Sequence, residues 1–454
     1  MSSKINVDQS VPPQMIPRGL NSSSSYILRR RFQRVSPSTT STDYSFNGNS
    51  RIEFVINSAS DFWDYLQSYM KCNLTTTLTA AAGTVTPALP VGGLNSVFRE
   101  IRVETSNSTV LQRLERYNSW YSWNSLADSQ EHTNSNGLAF GDSVDDGANS
   151  VRNRAATTSS VQLCFNPLIP FLQNGSYIPL FLMRGGIRII MELADPADVV
   201  YDSTLTATAP YSNASIVVSK PEFICRMVQP DNEIAMSYLD MFNSEMGINY
   251  TFQEYRIFEN DKLAAAGGNI VLNHQIVARS ACGVYTVLQN YRARTKNNDA
   301  NVTDTNSYSY DGVSSFVSAK LQKYQYFSGS DRFPTQNEVD CSSTFKSEAY
   351  VHFMNAMGKY NTPLFSNRFT ADEWHSFRTD SGNSDESTKL VLAADLKRGK
   401  DAYSGLDLTL QPLNTSLTFD AGYVGPEASR LNISTWIAYD STVTISKDGI
   451  ITRS

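Results

Sequence analysis

The stretch Gly185-Gly-Ile-Arg-Ile-Ile-Met-Glu-Leu193 carries the pattern that decides the fold of this chain. Ile187, Ile189 and Met191 are two residues apart, and successive side chains of a β-strand point to opposite faces. The stretch therefore predicts a strand with one buried face. Its paired glycines indicate a turn and not a phosphate-binding loop, because glycine readily adopts the positive φ angles of turns.

The same alternation recurs along most of the chain, with glycine, proline or Asn/Ser clusters between the runs. The predicted strands cover residues 52–56, 72–78, 101–103, 161–165, 187–193 and 223–227, then 252–258, 270–276, 284–288, 390–396, 406–410 and 431–437. A last hairpin is predicted to turn at Asp448-Gly449. Strands between residues 289 and 343 cannot be assigned from the pattern.

Composition supports a large β protein. The 454 residues are 41% hydrophobic and 18% charged, with 23 tyrosines and 22 phenylalanines to fill a core. Abundant Ser, Thr and Asn disfavour helices, because their side chains compete for backbone hydrogen bonds. The length fits two domains of about 200 residues. A low surface charge is typical of proteins that contact other copies of themselves.

Three helices are predicted among the strands. Leu111, Leu114, Tyr117 and Tyr121 fall on one helical face, and a second inserted helix covers residues 348–357. Between them, Pro230-Asp231 begins a helix whose Ala235, Leu239, Phe242 and Met246 share a face and which ends at Gly247.

These patterns predict an all-β fold of two consecutive eight-stranded jelly-roll barrels with short helical insertions, a double jelly roll. The predicted division is a flexible basic N-terminal arm at residues 1–50, a first barrel at 51–229, a linker helix at 230–248 and a second barrel at 249–454. The two halves repeat an architecture and not a sequence.

The arm carries the one motif that suggests a binding partner, a group of arginines at Arg29, Arg30, Arg31 and Arg34. These side chains suit the phosphates of a genome or of lipid headgroups, or equally the carboxylates of a neighbouring subunit. The formal net charge of −6 argues against a nucleic-acid surface extending over the whole chain.

Catalytic and metal chemistry is not indicated. His132, His274, His352 and His375 are far apart in sequence, the five cysteines form no C-x-x-C pair, and carboxylate pairs such as Asp61/Asp64 and Asp145/Asp146 are expected by chance. The cluster Tyr117, Trp120, Tyr121 and Trp123 fits either a stacking platform for a sugar or base, or a helix packed on a barrel. We expect no cofactor and no enzyme activity. The start lacks a signal-peptide pattern, so synthesis in the cytosol is expected.

Three segments resemble a known family. They are Gly92-Gly-Leu-Asn-Ser-Val-Phe-Arg-Glu-Ile-Arg-Val-Glu104 with the following Leu114-Glu-Arg-Tyr117, Tyr177-Ile-Pro-Leu180 leading into Gly186-Ile-Arg-Ile-Ile190, and Arg332-Phe-Pro-Thr-Gln336 with Ser347-Glu-Ala-Tyr350. They are similar to segments of the double jelly-roll major capsid proteins of polinton-like viruses and virophages.

The resemblance implies a capsid protein of an icosahedral DNA virus. It implies pseudo-hexagonal homotrimers that tile the shell and contact neighbouring trimers and minor capsid proteins. The arms would point inward, towards viral DNA or an internal membrane, and the location would be the virion. Three alternatives remain: a minor capsid, penton or spike protein, a single jelly-roll RNA-virus coat protein, and a carbohydrate-binding or hydrolytic β-sandwich.

Overall fold

A computed structural model of the chain describes residues 27–39, 41–80, 87–90, 92–127, 139, 160–202, 211–263, 268–290, 316–317, 321–342, 346–360, 387–399, 403–420, 430–447 and 449–453.

The first half forms two facing sheets. Its strands are β1 Ile27–Val35, β2 Asp43–Ser45, β3 Arg51–Ile56, β4 Phe62–Ala80, β5 Pro87–Ala88, β6 Phe98–Thr105, β7 Val110–Glu115, β8 Val161–Phe165, β9 Ile178–Pro179, β10 Ile187–Leu193, β11 Tyr201–Asp202 and β12 Tyr211–Pro230. One sheet has the order β1-β12-β4-β8 and the other β3-β10-β6-β7, with antiparallel pairing throughout.

The second half repeats this arrangement. Its strands are β13 Ile248–Leu263, β14 Gly268–His274, β15 Ala281–Asn290, β16 Phe316–Val317, β17 Leu321–Ser328, β18 Asp331–Phe333, β19 Val339–Asp340, β20 Ser387–Thr388, β21 Val391–Asp395, β22 Leu413–Phe419, β23 Arg430–Ser446 and β24 Gly449–Arg453. The sheets follow β13-β23-β15-β21 and β14-β22-β17-β18.

The strand order identifies the fold. Each half has eight main strands once its accessory strands are left out, which are β2, β5, β9 and β11 in the first half and β16, β19, β20 and β24 in the second. When the main strands are numbered 1 to 8 in chain order, one sheet of each half has the order 1-8-3-6 and the other has the order 2-7-4-5. Both halves have this order, which is that of an eight-stranded jelly roll. The prediction of two jelly-roll barrels is confirmed.

Alternating side chains build the cores, as the sequence pattern requires. Ile52, Phe54 and Ile56 of β3 are fully buried between the two sheets of the first barrel. The Phe54 ring meets that of Phe223 on the opposite sheet, with centroids 5.5 Å apart and the planes at 61°. In the second barrel, Tyr326 is fully buried and its hydroxyl donates to the Leu392 carbonyl at 3.0 Å.

The helices are α1 Tyr117–Asn124, α2 Pro196–Val199, α3 Asn232–Asn243 and α4 Ser347–Ala356, with 3-10 turns at Gly93–Val97, Ser125–Ala127 and Leu180–Leu182. The prediction of helix α4 is confirmed to within one residue at each end. The first inserted helix begins later than predicted, because Leu111 and Leu114 belong to β7. Arg116, with φ 52°, ends that strand.

The linker helix forms as predicted, and of the four residues predicted to share a face, Phe242 packs against the core. Ile234 and Tyr238 point inward, and the Tyr238 ring packs on Phe62 of β4 at 4.8 Å. Leu239 and Met246 are exposed. The four predicted positions also fit a helical period, so spacing alone does not decide which stripe faces the barrel.

The predicted flexible arm is wrong for the described residues after position 26. Residues 27–35 are β1, the first strand of the first barrel, and they pair with residues 223–230 of β12. Residues 43–45 continue along the same edge of β12. Other strand assignments also need correction. Residues 406–410 form a loop with one isolated bridge from Leu406 to Ala281, and the sequence pattern missed β17 and β22.

Gly186, at the turn into β10, permits a stability test. It has φ 76°, and a β-carbon there would overlap the carbonyl oxygen of Ile56 on the neighbouring strand. Gly175 has a similar φ of 81°, but a β-carbon there would meet no atom within 4 Å. We expect Gly186→Ala to be destabilised relative to Gly175→Ala by roughly 1–3 kcal/mol, because the added methyl displaces backbone. Equal urea midpoints for the two variants would contradict this expectation.

Candidate assembly surfaces

The residues that were candidates for chemistry have structural partners. His274 is fully buried and its Nε2 lies 2.8 Å from Thr415 Oγ1, while His352 lies 3.7 Å from Glu348 on the same helix. Asp61 accepts from Arg31 at 2.6 Å and from Ser58 Oγ at 2.9 Å. The other two histidines and the carboxylate pair Asp145/Asp146 lie outside the described residues.

Asp64, the other member of the first carboxylate pair, is held by a different cation. Arg226 Nε lies 3.8 Å from its carboxylate. Burial is the largest influence on the Asp64 carboxyl and raises its pKa, and Arg226 opposes that shift. All five cysteines are free thiols. Within the described part of the chain, no three His, Cys, Asp or Glu side chains are grouped so as to hold a metal ion.

The aromatic cluster of α1 packs between the two barrels. The Trp123 ring stacks on Tyr285 of β15 at 4.4 Å and lies 5.8 Å from Trp436 of β23. Trp120 meets Tyr255 of β13 edge-on at 5.1 Å. Because Trp120 and Trp123 are 1% and 0% exposed, they are not available as a stacking platform for a sugar or a base.

Polar contacts extend this junction along the length of β13. Near the start of β13, the Tyr250 hydroxyl donates to the Tyr177 carbonyl at 3.1 Å. Near its end, Arg116 Nε lies 3.0 Å from Glu259 Oε1. We conclude that the two barrels lie side by side as one unit.

Strand β1 exposes alternating apolar and basic side chains. Leu28 and Phe32 are 59% and 62% exposed. Arg30 and Arg34 lie two residues to either side of Phe32 and share its strand face, while Leu28 lies at the register shift between Ile27 and Arg29. Arg29 and Arg31 occupy alternate positions, and Arg31 is paired with Asp61. Arg34 lies 3.9 Å from Glu222. Since β1 is the edge strand of its sheet, its outer backbone groups also face outward.

The outer face of the sheet β3-β10-β6-β7 carries charges that neutralise one another. Arg188 lies 2.8 Å from Glu53, Arg102 lies 3.1 Å from Glu104, and Arg113 binds both carboxylate oxygens of Glu100 at 2.9 and 3.0 Å. Arg51–Glu53 and Arg99–Glu192 add further pairs. Glu100 and Glu104 are buried, at 9% and 6% exposure, so their arginine partners offset the cost of removing these carboxylates from water. The arginines of this face are therefore already matched to carboxylates of the same chain.

One end of the molecule concentrates exposed apolar side chains. Strand β1 begins opposite the end of β12, and β13 begins opposite the end of β23, so α3 joins the two barrels at a common end, here called the linker end. Its exposed large apolar residues include Leu28, Leu66, Met236, Leu239, Met241 and Met246. Such a concentration is typical of an interaction surface. None of the helices in the described ranges has the length and hydropathy needed to cross a bilayer.

The shared strand order of the two halves defines a class of fold, the double jelly roll. Solved structures confirm this class over nearly the whole chain. The Faustovirus major capsid protein superposes with a TM-score of 0.59 at 10% identity, covering 95% of this chain and 93% of that one. A chain of the Sputnik virophage structure gives 0.56 at 12% identity, covering 100% and 94%. The mavirus major capsid protein gives 0.53 at 11% identity, covering 100% and 96%.

No protein-family model and no curated protein sequence matches the chain. At 10–12% identity, the structural likeness establishes the fold. The chain thus has the double jelly-roll fold found in the major capsid proteins of Faustovirus and mavirus, as the resemblance of its sequence segments implied.

Proposed function

We propose that this chain is the major capsid protein of an icosahedral double-stranded DNA virus, with a structural role and no catalytic step. The observation that carries this proposal is that the chain contains two jelly rolls with the same strand order, packed side by side. This chain also matches viral capsid proteins over nearly its full length. Three such chains would present six barrels, which gives a pseudo-hexagonal unit able to tile a shell.

The alternatives fit the structure less well. Minor capsid, penton and spike proteins would usually have one jelly roll with an attached domain, whereas both halves of this chain are jelly rolls. The same observation disfavours a single jelly-roll coat. The aromatic cluster of α1, which was the candidate platform for a carbohydrate, has both tryptophans buried between the barrels.

Self-association is the expected activity, and its experiment is a mass measurement. We expect the purified chain to have three times its monomer mass of 50.4 kDa by light scattering. Micrographs of the same sample should show pseudo-hexagonal outlines or closed shells. Obligate interfaces of this kind bury about 2,000–5,000 Å² and resemble a protein core, so dilution should not dissociate the trimer. A stable monomer that forms no particles would overturn the proposal.

The β1 surface is proposed as a contact between neighbouring subunits in the virion. Phosphates of DNA would pair with Arg29, Arg30 and Arg34 but would leave Leu28 and Phe32 exposed to water. A protein neighbour would cover both kinds of side chain. Residues 1–26, which precede β1, are proposed as the part of the chain directed at viral DNA, an internal membrane or minor capsid proteins. Synthesis in the host cytosol remains an expectation.

This contact is tested by changing the apolar and basic side chains separately. We expect Leu28→Gln with Phe32→Gln to reduce particle formation at least tenfold, because two large apolar side chains no longer become buried on assembly.

The basic side chains are tested by the salt dependence of DNA binding, which should be unchanged when Arg29→Gln, Arg30→Gln and Arg34→Gln are combined. If that slope instead falls by about 0.9 for each phosphate that is no longer bound, the arginines bind nucleic acid. Arg31 is left intact because it lies 2.6 Å from the buried Asp61, whereas Arg34 is 3.9 Å from Glu222, which is partly exposed.

A further inference from the structure

The linker end carries a surface that neither barrel uses for its own packing. Helix α3 buries Ile234 and Tyr238 and turns its opposite face to solvent. Met236 and Leu239 lie near the middle of that face, one turn apart, and are 56% and 36% exposed. Met246, just beyond the helix, is 78% exposed. Methionine side chains are flexible and polarisable, and proteins often use them on surfaces that adapt to a partner.

Acidic residues surround these apolar side chains. Asp231, Glu233, Asp240 and Glu245 lie within residues 231–247, and that segment contains no lysine or arginine. Glu233 and Asp240 lie on the exposed side of α3, three and four residues from Met236. We call the set Glu233, Met236, Leu239, Asp240 and Met246 the linker-helix surface.

Charge decides between the possible occupants of this surface. Phosphates of nucleic acid or anionic lipid would be repelled by the carboxylates. A second copy of the same surface would bring like charges together at a cost of several kcal/mol. A partner with basic residues beside an apolar stripe would satisfy both the carboxylates and the exposed methionines.

The helix is held firmly enough to present this surface. At its beginning, the Asp231 side chain accepts from the Asn232 N–H at 2.8 Å, and Pro230 pairs with Ile27. At its end, the backbone N–H of Lys447 donates to the Phe242 carbonyl at 3.0 Å. A surface that is already ordered loses little conformational entropy when it binds.

We propose that the linker-helix surface binds a cationic amphipathic segment of a second protein, with its apolar stripe on Met236, Leu239 and Met246. The basic flanks of that segment would pair with Glu233 and Asp240. This binding goes beyond the proposed capsid role, because it uses a surface outside the barrels and can be measured on the purified chain whether or not shells form.

The experiment titrates the full chain into two fluorescein-labelled synthetic helical peptides. One has leucine at positions i, i+3, i+4 and i+7 and lysine at most other positions, and the other has glutamate in place of lysine. We expect saturable anisotropy changes with the lysine peptide and none with the glutamate peptide. Met236→Gln with Leu239→Gln should raise the dissociation constant at least tenfold. Glu233→Gln with Asp240→Asn should also weaken binding and reduce its salt dependence.

A matched control is Val271→Gln, since Val271 is 54% exposed and lies in the middle of β14 in the second barrel. It should bind the lysine peptide as the unchanged chain does. All substituted positions are exposed, and unchanged circular dichroism will confirm folding. Three results would overturn the proposal. The first is equal binding of both peptides. The second is that the chain binds phosphatidylserine vesicles and the Met236/Leu239 variant does not. The third is that the chain associates with itself and the same variant does not.

Discussion

Replacement of Trp123 by alanine is expected to lower the free energy of unfolding by about 3–5 kcal/mol, the range for removing a buried tryptophan. Trp123 is fully buried and its ring contacts Trp120 of its own helix and Tyr255, Tyr285 and Trp436 of the second barrel. The change therefore opens a cavity at the junction of the barrels and not within either core. We expect calorimetry to show one transition in the unchanged chain and two in the variant.

Trp123→Phe is the matched control for that experiment. The smaller ring keeps part of the stacking on Tyr285. It also removes the indole N–H of Trp123, which is buried without an acceptor among the described residues. An unsatisfied buried donor costs about 1–3 kcal/mol, so the phenylalanine variant should recover much of the stability. A single transition at the unchanged temperature in Trp123→Ala would show that the barrels do not depend on this contact.

The alternation of apolar residues predicted the barrels because it reports burial directly. Residues 187–193 and 52–56 are strands with their apolar side chains inward, as their period of two requires. Where a strand departs from that period, the prediction failed. Strand β1 contains three consecutive arginines, so its sequence is typical of a solvated segment, and it is held in the barrel by pairing with β12. The partner lies nearly 200 residues away, and no local pattern encodes it.

The candidate surfaces were only partly predictable for the same reason. The spacing of Tyr117, Trp120 and Trp123 is visible in the sequence and left two interpretations open. The structure decides between them, because the aromatic partners Tyr285 and Trp436 come from distant strands. Likewise, the sequence predicted helix α3 but not which stripe is exposed, since both stripes contain apolar residues at helical spacing. Packing against Phe62 selects Tyr238 for the interior.

His274 is expected to make the second barrel sensitive to acid. Burial lowers the pKa of this imidazole from 6.5 to about 4. The folded chain therefore keeps His274 neutral between these values, while the unfolded chain takes up a proton. The stabilisation is complete above pH 6.5 and is lost as the pH falls towards 4, because protonation then favours the unfolded chain. At 1.36 kcal/mol per pKa unit, the total decrease is about 3 kcal/mol.

His274→Gln isolates this effect, because glutamine keeps a polar group near Thr415 Oγ1 and does not titrate. Carboxylates also titrate in this range, so the quantity to compare is the difference in unfolding free energy between pH 7.5 and pH 4.5 for each protein. We expect that difference to be larger in the unchanged chain by about 2.5 kcal/mol. The reason is the local environment: the imidazole has Thr415 on one side, the Phe258 ring 5.1 Å away, and an Nδ1 atom without a partner among the described residues. Equal pH dependence in the two proteins would mean that His274 accepts a proton in the folded barrel without penalty.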